Sequence, residues 1–281
     1  MSRTCRAAAG LLVVASIVVN GPLWATEDKP LWEIGAGVGA FSFPAYRGSS
    51  QTNYYLLPLP LFTYRGDFFK ADRHGIRGSF FDTDRLDLTV SGALSPPTGS
   101  DHGGARSGMP ELDATFEIGP QIDFTLWRSA NRARFLKLLM PVRAAFTFQG
   151  PPQDVGWVFN PRLNLDITDL PNLPGWNLGL LAGPVYGNQR QNAYFYSVAP
   201  QYVTPTRPAY EAAAGYGGMQ FLASVTKRFP KYWIGAFVRY DNLSGATFAD
   251  SPLVEQKNYF AAGFAVTWIL GESSTRVMVD D

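Results

Sequence analysis

The chain is predicted to be all-β, a single antiparallel transmembrane β-barrel of the bacterial outer membrane with about 10 to 12 strands. Three observations predict this. An export signal opens the chain and no later apolar run suits a helical span; period-two alternation recurs along the mature part; short and long connections follow one another in turn.

The first thirty residues read MSRTCRAAAGLLVVASIVVNGPLWATEDKP, with Arg3 and Arg6, an apolar run over residues 7 to 19, then Asn20-Gly21-Pro22 and the small Ala25. This order of charged, apolar and breaking segments is that of a secretory signal peptide cut after Ala25, with a retained anchor as the alternative. Residues 1–25 are therefore expected to be removed and residues 26–281 to form the barrel domain, with strands over about 31–270 and a polar tail, 271–281. Cys5, the only cysteine, lies before the apolar run, so the exported chain has no thiol chemistry.

Of 24 basic and 23 acidic residues, removal of the signal takes Arg3 and Arg6 and no acid, leaving 22 against 23. So even a balance carries no footprint for nucleic acid. No apolar run after residue 25 reaches the roughly 18 residues a helical span requires, whereas 28 glycines, 20 phenylalanines and 13 tyrosines suit an exported β protein.

Strands are read from alternation, because successive side chains leave opposite faces of the pleat. Trp32, Ile34, Ala36, Val38 and Ala40 alternate with Glu33, Gly35, Gly37 and Gly39. Leu86, Leu88 and Val90 alternate with Arg85, Asp87, Thr89 and Ser91. In TFEIGPQIDFTLW, Phe116, Ile118, Pro120, Ile122, Phe124 and Leu126 oppose Thr115, Glu117, Gly119, Gln121, Asp123 and Thr125. Leu136, Leu138, Met140, Val142, Ala144, Phe146 and Phe148 then share a face opposite Lys137, Arg143 and Thr147. Phe135, Leu138, Leu139 and Val142 also fit helical spacing, but Pro141 argues against a helix. Further runs begin at Phe159, Tyr232 and Phe260, with weaker ones at 54–64, 68–81, 175–186 and 217–228. Pro58, Pro60, Pro120, Pro141, Pro161 and Pro184 fall inside these runs and should mark bulges or strand ends. Segment 54–81 reads either as one strand and a lid or as three short strands, which keeps ten and twelve strands both open.

Short connections near 128, 169 and 228 alternate with long ones at roughly 95–112, 187–214 and 244–257, as a barrel with all its short turns on one side of a membrane requires. Trp32, Trp127, Trp176, Trp233 and Trp268 fall on the short-turn side and only Trp157 on the other, an aromatic belt. The apolar faces are therefore assigned to outer-membrane lipid. Glu117, Gln121 and Asp123 are assigned to a wet lumen, with Arg143 and Arg162 as partners.

The segments PAYRGS (44–49) and SGMPELDATFEIGPQI (107–122) resemble the MipA/OmpV family of outer-membrane proteins. The matching positions are Pro44, Tyr46, Gly48 and Ser49, then Gly108, Met109, Pro110 and Leu112, then Gly119 and Pro120. The resemblance implies one outer-membrane barrel and, from the family's name-giving member, a scaffold that holds a lytic murein transglycosylase and a bifunctional murein synthase together. It carries no catalytic residues and no cofactor. The chain departs from the usual aromatic barrel terminus, since Trp268 is followed by Ile269-Leu270 and GESSTRVMVDD.

Catalytic signals are thin. Ser100, Asp101 and His102 stand in a row in GSDHGG, but consecutive residues point different ways, so this reads as a solvated loop rather than a triad. With only His74 and His102, and Asp82, Asp84 and Asp87 spread along a turn and strand, no metal site is expected. Tyr194, Tyr196, Tyr202 and Tyr210 are expected to pack onto their own loop. The expectation is a non-enzymatic scaffold, with a small pore as the alternative and a lipid-modifying enzyme behind both.

Overall fold

The computed structural model describes residues 27–65, 69–72, 75–78, 81–82, 85–95, 97, 104–148 and 151–279. The alternating runs become strands: β1 (Glu27–Pro30), β2 (Trp32–Pro44), β3 (Thr52–Arg65), β4 (Phe69–Asp72), β5 (Gly75–Gly78), β6 (Phe81–Asp82) and β7 (Leu86–Ser95). They continue as β8 (Thr115–Arg128), β9 (Arg134–Thr147), β10 (Asp154–Phe159), β11 (Arg162–Ile167) and β12 (Trp176–Gly187). A helix, α1 (Gln189–Tyr196), precedes β13 (Gly215–Arg228), β14 (Tyr232–Asn242), β15 (Asn258–Glu272) and β16 (Arg276–Val279). Residues 135–142, with their rival helical spacing, lie in β9.

Sequence neighbours pair antiparallel, and the chain ends meet where β15 pairs β2. β10 and β11 both pair with β9 and β12 and form two halves of one strand, broken at Asn160-Pro161. β6 pairs β7 and β5 lies against β7, so these two also share one place. The 14-stranded sheet thus becomes a ring with twelve places among the described residues, the even number a bacterial barrel requires. The segment 54–81 resolves into the full-length β3 followed by short strands.

The polarity is inside out relative to a soluble protein. Along β8, Asp123 is 5% exposed and its neighbour Phe124 36%; along β15, Thr267 is buried and Phe264 is 51% exposed. Ile34, Val38, Ile118, Ile122, Leu163, Leu180, Phe221 and Val238 are likewise exposed, and Gln121, Arg143 and Asp241 are buried. An apolar outer face and polar interior match a barrel set in lipid, whose hydrogen-bonding groups are satisfied between strands. Among the described residues no helix is long and apolar enough to cross a membrane, which says nothing of strands.

Pro161 marks the β10–β11 break and Pro184 precedes the register shift to Tyr186, as expected of a residue without an amide to donate. Pro58, Pro60, Pro120 and Pro141 depart from that expectation: they stand inside strands whose register runs through them without a shift. Trp127, Trp176 and Trp268 lie near the short-turn ends and Trp32 starts β2. Trp233 is different. It pairs with the buried Thr267, and a Cβ on Gly235 would come 2.5 Å from its ring, so it lies on the inner face rather than in the belt.

Short turns at 129–133, 168–175 and 229–231 occupy one end of the barrel; 45–51, 104–114, 151–153, 188–214 and 243–257 occupy the other. At the short-turn end, residues 27–30 and 276–279 form a separate two-stranded ribbon, so the segment after residue 270 contains strand structure.

Candidate functional site

Residues from the long connections build a dry cluster over one mouth of the barrel. Ala45 and Tyr46, Met109 and Leu112, Tyr196, Val198 and Ala212, and Leu243, Ala246, Phe248 and Leu253 are buried together, joined by Tyr259 from the start of β15. At its centre the Phe248 ring stacks on Tyr196 at 3.7 Å and 8°, with the Tyr46 ring edge-on to Tyr196 at 6.3 Å. This core lies in the loops, because the barrel has turned its own apolar faces outward.

Hydrogen bonds tie the loops together. Tyr46 donates its hydroxyl to the Leu253 carbonyl at 2.7 Å, Tyr196 to the Arg47 carbonyl at 2.9 Å, and Ser251 to the Tyr196 carbonyl at 2.7 Å. Arg106 donates to the carbonyls of Phe195 and Pro110, and Arg207 to those of Tyr202, Ala105 and Ser107. Tyr194 accepts from the Asp113 amide and Tyr210 donates to the Thr247 carbonyl, so these tyrosines bridge between loops instead of folding onto their own. The two arginines act as rivets, each satisfying several carbonyls that a packed loop would otherwise leave without partners.

The residues that carry the family resemblance fall mostly here. Gly48 has φ +93°, and its carbonyl accepts from the Glu255 and Gln256 amides; a Cβ would come 3.0 Å from Leu243. The left-handed backbone and the close approach both favour glycine. Ser49 is buried, accepts from the Gln51 amide through its hydroxyl, and its carbonyl accepts from the Gln256 side chain at 2.6 Å. Pro44 closes β2 just before Tyr46 enters the cluster. Gly108, at φ +76°, turns the chain so that Met109 and Leu112 pack inward while Pro110 stays exposed and supplies a carbonyl to Arg106. Gly119 and Pro120 are elsewhere, in the wall: a Cβ on Gly119 would lie 2.0 Å from the Val142 carbonyl oxygen, and Pro120 pairs with Val90.

Burial shapes the ionisation of this cap. Desolvation raises the phenol pKa of Tyr46, helped by Glu255, and desolvation likewise raises that of Tyr196. Burial works against the Arg47 charge, but Tyr259, Asp241 and Tyr196 outweigh it and raise its pKa; that of the Arg106 guanidinium is lowered by desolvation.

Beneath the cap, Asp241 is fully buried and accepts from Arg239 at 2.7 Å, Arg47 at 3.1 Å and Gln220 at 3.3 Å. Farther round the wall, Arg143 pairs with Glu117 at 2.8 Å, and Gln121 donates to Asp123 at 2.6 Å. Arg162 donates to Asn160. At the short-turn end, Arg228 pairs with Glu33 and lies 3.9 Å from Glu272. Glu117, Gln121, Asp123 and Arg143 were legible as inward residues, as was Asp241 opposite the apolar face of the run from Tyr232, whereas Arg47, Arg106 and Arg207 carried no periodic signal. Each of these three arginines has at least one partner about 90 or more residues away.

His74, Asp84, Ser100, Asp101 and His102 lie outside the described residues. Asp82 pairs across strands with Asp87, and among the described residues no group of three or more acids, histidines or cysteines could hold a metal ion.

The family model described as MltA-interacting protein MipA matches residues 36–270. The chain belongs to this family. The MipA match spans β2 through most of β15, and so includes both the barrel and the loop cap. No curated protein matches the chain by sequence. Two solved structures are similar at low identity. A bacterial polysaccharide outer membrane secretin has TM-score 0.38 and 8% identity over 87% of this chain and 100% of that one. LpxR from Salmonella typhimurium has TM-score 0.38 and 9% identity over 85% and 99%. The protein is thus an outer-membrane β-barrel of the MipA family.

Proposed function

We propose that this barrel is a non-enzymatic scaffold that holds a lytic murein transglycosylase and a murein synthase together at the outer membrane. Membership of a family named for interaction with MltA is the observation that carries the reading. The architecture supports it: the long-loop mouth carries a dry cap, and the short-turn end, which faces the periplasm in outer-membrane barrels, is where murein enzymes work. That end presents exposed Arg128, Arg134, Arg228 and Lys231 together with the β1–β16 ribbon. Such a rim is a surface for binding rather than a cleft for chemistry.

In the test, the folded barrel is immobilised and exposed to membrane extract from the same organism beside a control barrel of similar size. Selective retention of a murein transglycosylase or synthase is expected; retention of neither overturns the scaffold. The charged wall around Arg143 and Glu117 favours a second reading, a small permeation path. Steady single-channel conductance by the intact protein in planar bilayers would support that reading against the capped scaffold.

A further inference from the structure

The lumen has two unlike walls. Opposite the charged side, β14, β15, β2 and β3 turn hydrocarbon inward. Phe41 and Phe43 share the face of β2 that buries Glu33, and Phe237 shares the face of β14 that buries Asp241. Their rings form one connected row: centroids are 5.9 Å apart for Phe41–Phe43, 6.4 Å for Phe41–Phe237, 6.1 Å for Phe43–Phe237 and 6.4 Å for Phe43–Tyr55. Phe41 and Phe237 stand on strands that are not neighbours and meet over Gly263 of β15, where a Cβ would come 2.5 Å from both rings. Glycine is therefore what lets the row form. The rings are only partly buried, and Leu57, on the inner face of β3, is 45% exposed.

Charge gathers at the upper end of the row. The Arg239 guanidinium lies 6.0 Å from the Phe43 centroid and shares Asp241 with Arg47. Two guanidinium groups on one carboxylate leave a net positive charge, and the Arg47 Nη2 is buried with no hydrogen-bond partner. A buried charged donor without a partner is costly, so this corner is suited to one more anion.

The apolar wall also borders the lipid-facing side of β3. Described pairing on the far side of β3 covers only Tyr64 and Arg65. Above it stand Pro58 and Pro60, which have no amide to donate, and the outward Tyr54 and Leu56, which are 82% and 75% exposed. Among the described residues, the upper part of β3 thus sets the outward Tyr54 and Leu56 beside the inward Tyr55 of the row and Leu57.

We propose that the lumen binds a single-chain anionic amphiphile, its acyl chain lying along Phe41, Phe43, Tyr55 and Phe237 and its acidic head on Arg47. The row is one ring wide, which fits one chain.

Native mass spectrometry of the folded full-length barrel tests this with oleate, a lysophosphatidylglycerol and oleyl alcohol as probes. One bound oleate or lysolipid per barrel is expected, and whichever adduct is stronger identifies the source of the chain. Oleyl alcohol should bind about tenfold or more weakly, the size of a lost charged hydrogen bond. Phe237→Ser should deplete every adduct, Arg47→Gln should erase the preference for oleate over the alcohol, and Phe264→Ser on the outer face should change neither. Heat-modifiable gel migration checks that each variant is folded. If Arg47→Gln does not fold, the oleate-to-alcohol comparison on the unaltered protein decides the role of charge. Absence of saturable adducts beyond those of a control barrel overturns the proposal, as do equal binding of acid and alcohol or adducts indifferent to Phe237→Ser.

Discussion

Phe248→Ala should open the cap while leaving the barrel wall intact. The ring is 1% exposed and lies face to face with Tyr196 at 3.7 Å, so its loss removes the central contact between the 243–257 connection and the end of α1. Truncating a buried phenylalanine typically costs about 3–5 kcal/mol, and each 1.4 kcal/mol is tenfold, so the open cap should become roughly a hundredfold to a few thousandfold more populated. The wall is held by antiparallel ladders that this ring does not touch, such as the β14–β15 and β15–β2 pairings. Hydrogen exchange on the detergent-folded protein reads the difference: amides of 189–212 and 243–257 should exchange faster by that factor, and those of 261–268 should not. Unchanged exchange in both loops, or an equal rise in β15, would refute the claim that the cap is a separate cooperative unit resting on this stack.

Other consequences follow from the same geometry. Asp241→Asn leaves Arg47 and Arg239 facing each other without their shared carboxylate and should lower stability by about 3–5 kcal/mol, read from the denaturant midpoint. Asp154→Asn, at an exposed pair with Arg190, should cost about 1 kcal/mol or less. The raised phenol pKa values of Tyr46 and Tyr196 mean that the folded cap holds protons the unfolded chain releases near pH ~10, so the cap loses stability as pH rises beyond that point. A tyrosinate absorbance titration should show these phenols ionising only as the loops open, whereas ionisation together with the exposed tyrosines would contradict their burial. Phe264→Arg puts a cation on the lipid face of β15 and should cost about 2–4 kcal/mol near the bilayer midplane, while Phe264→Leu should fold normally in vesicles.

The wall was legible in the sequence because a strand writes its environment locally: Glu117, Gln121 and Asp123 alternate with Ile118, Ile122 and Phe124, so the period separates two faces, and the short and long connections in turn assign them to lumen and lipid. Pro161 and Pro184 flagged the break and the register shift for the same reason, a missing amide in a ladder. The cap was not legible. Tyr46 reaches Leu253 across 207 residues and Arg207 reaches Ala105 across 102, and such contacts leave no period in either segment. PAYRGS and SGMP stood out as family features, but their role as two sides of one loop core emerges only when the barrel brings the strand ends together. Trp233 shows the limit of position without parity: it lies at the belt's height and points the other way.

The most direct test of the scaffold is binding of a purified lytic murein transglycosylase to the barrel reconstituted in vesicles, comparing the unaltered protein, the cap variant Phe248→Ala and the short-turn double variant Arg134→Glu/Lys231→Glu. The scaffold account, in which the short turns meet the periplasm and the cap faces away from it, predicts saturable binding to the first two and a marked loss in the third. No binding to the unaltered barrel, or binding lost through the cap variant and kept by the short-turn variant, would contradict it.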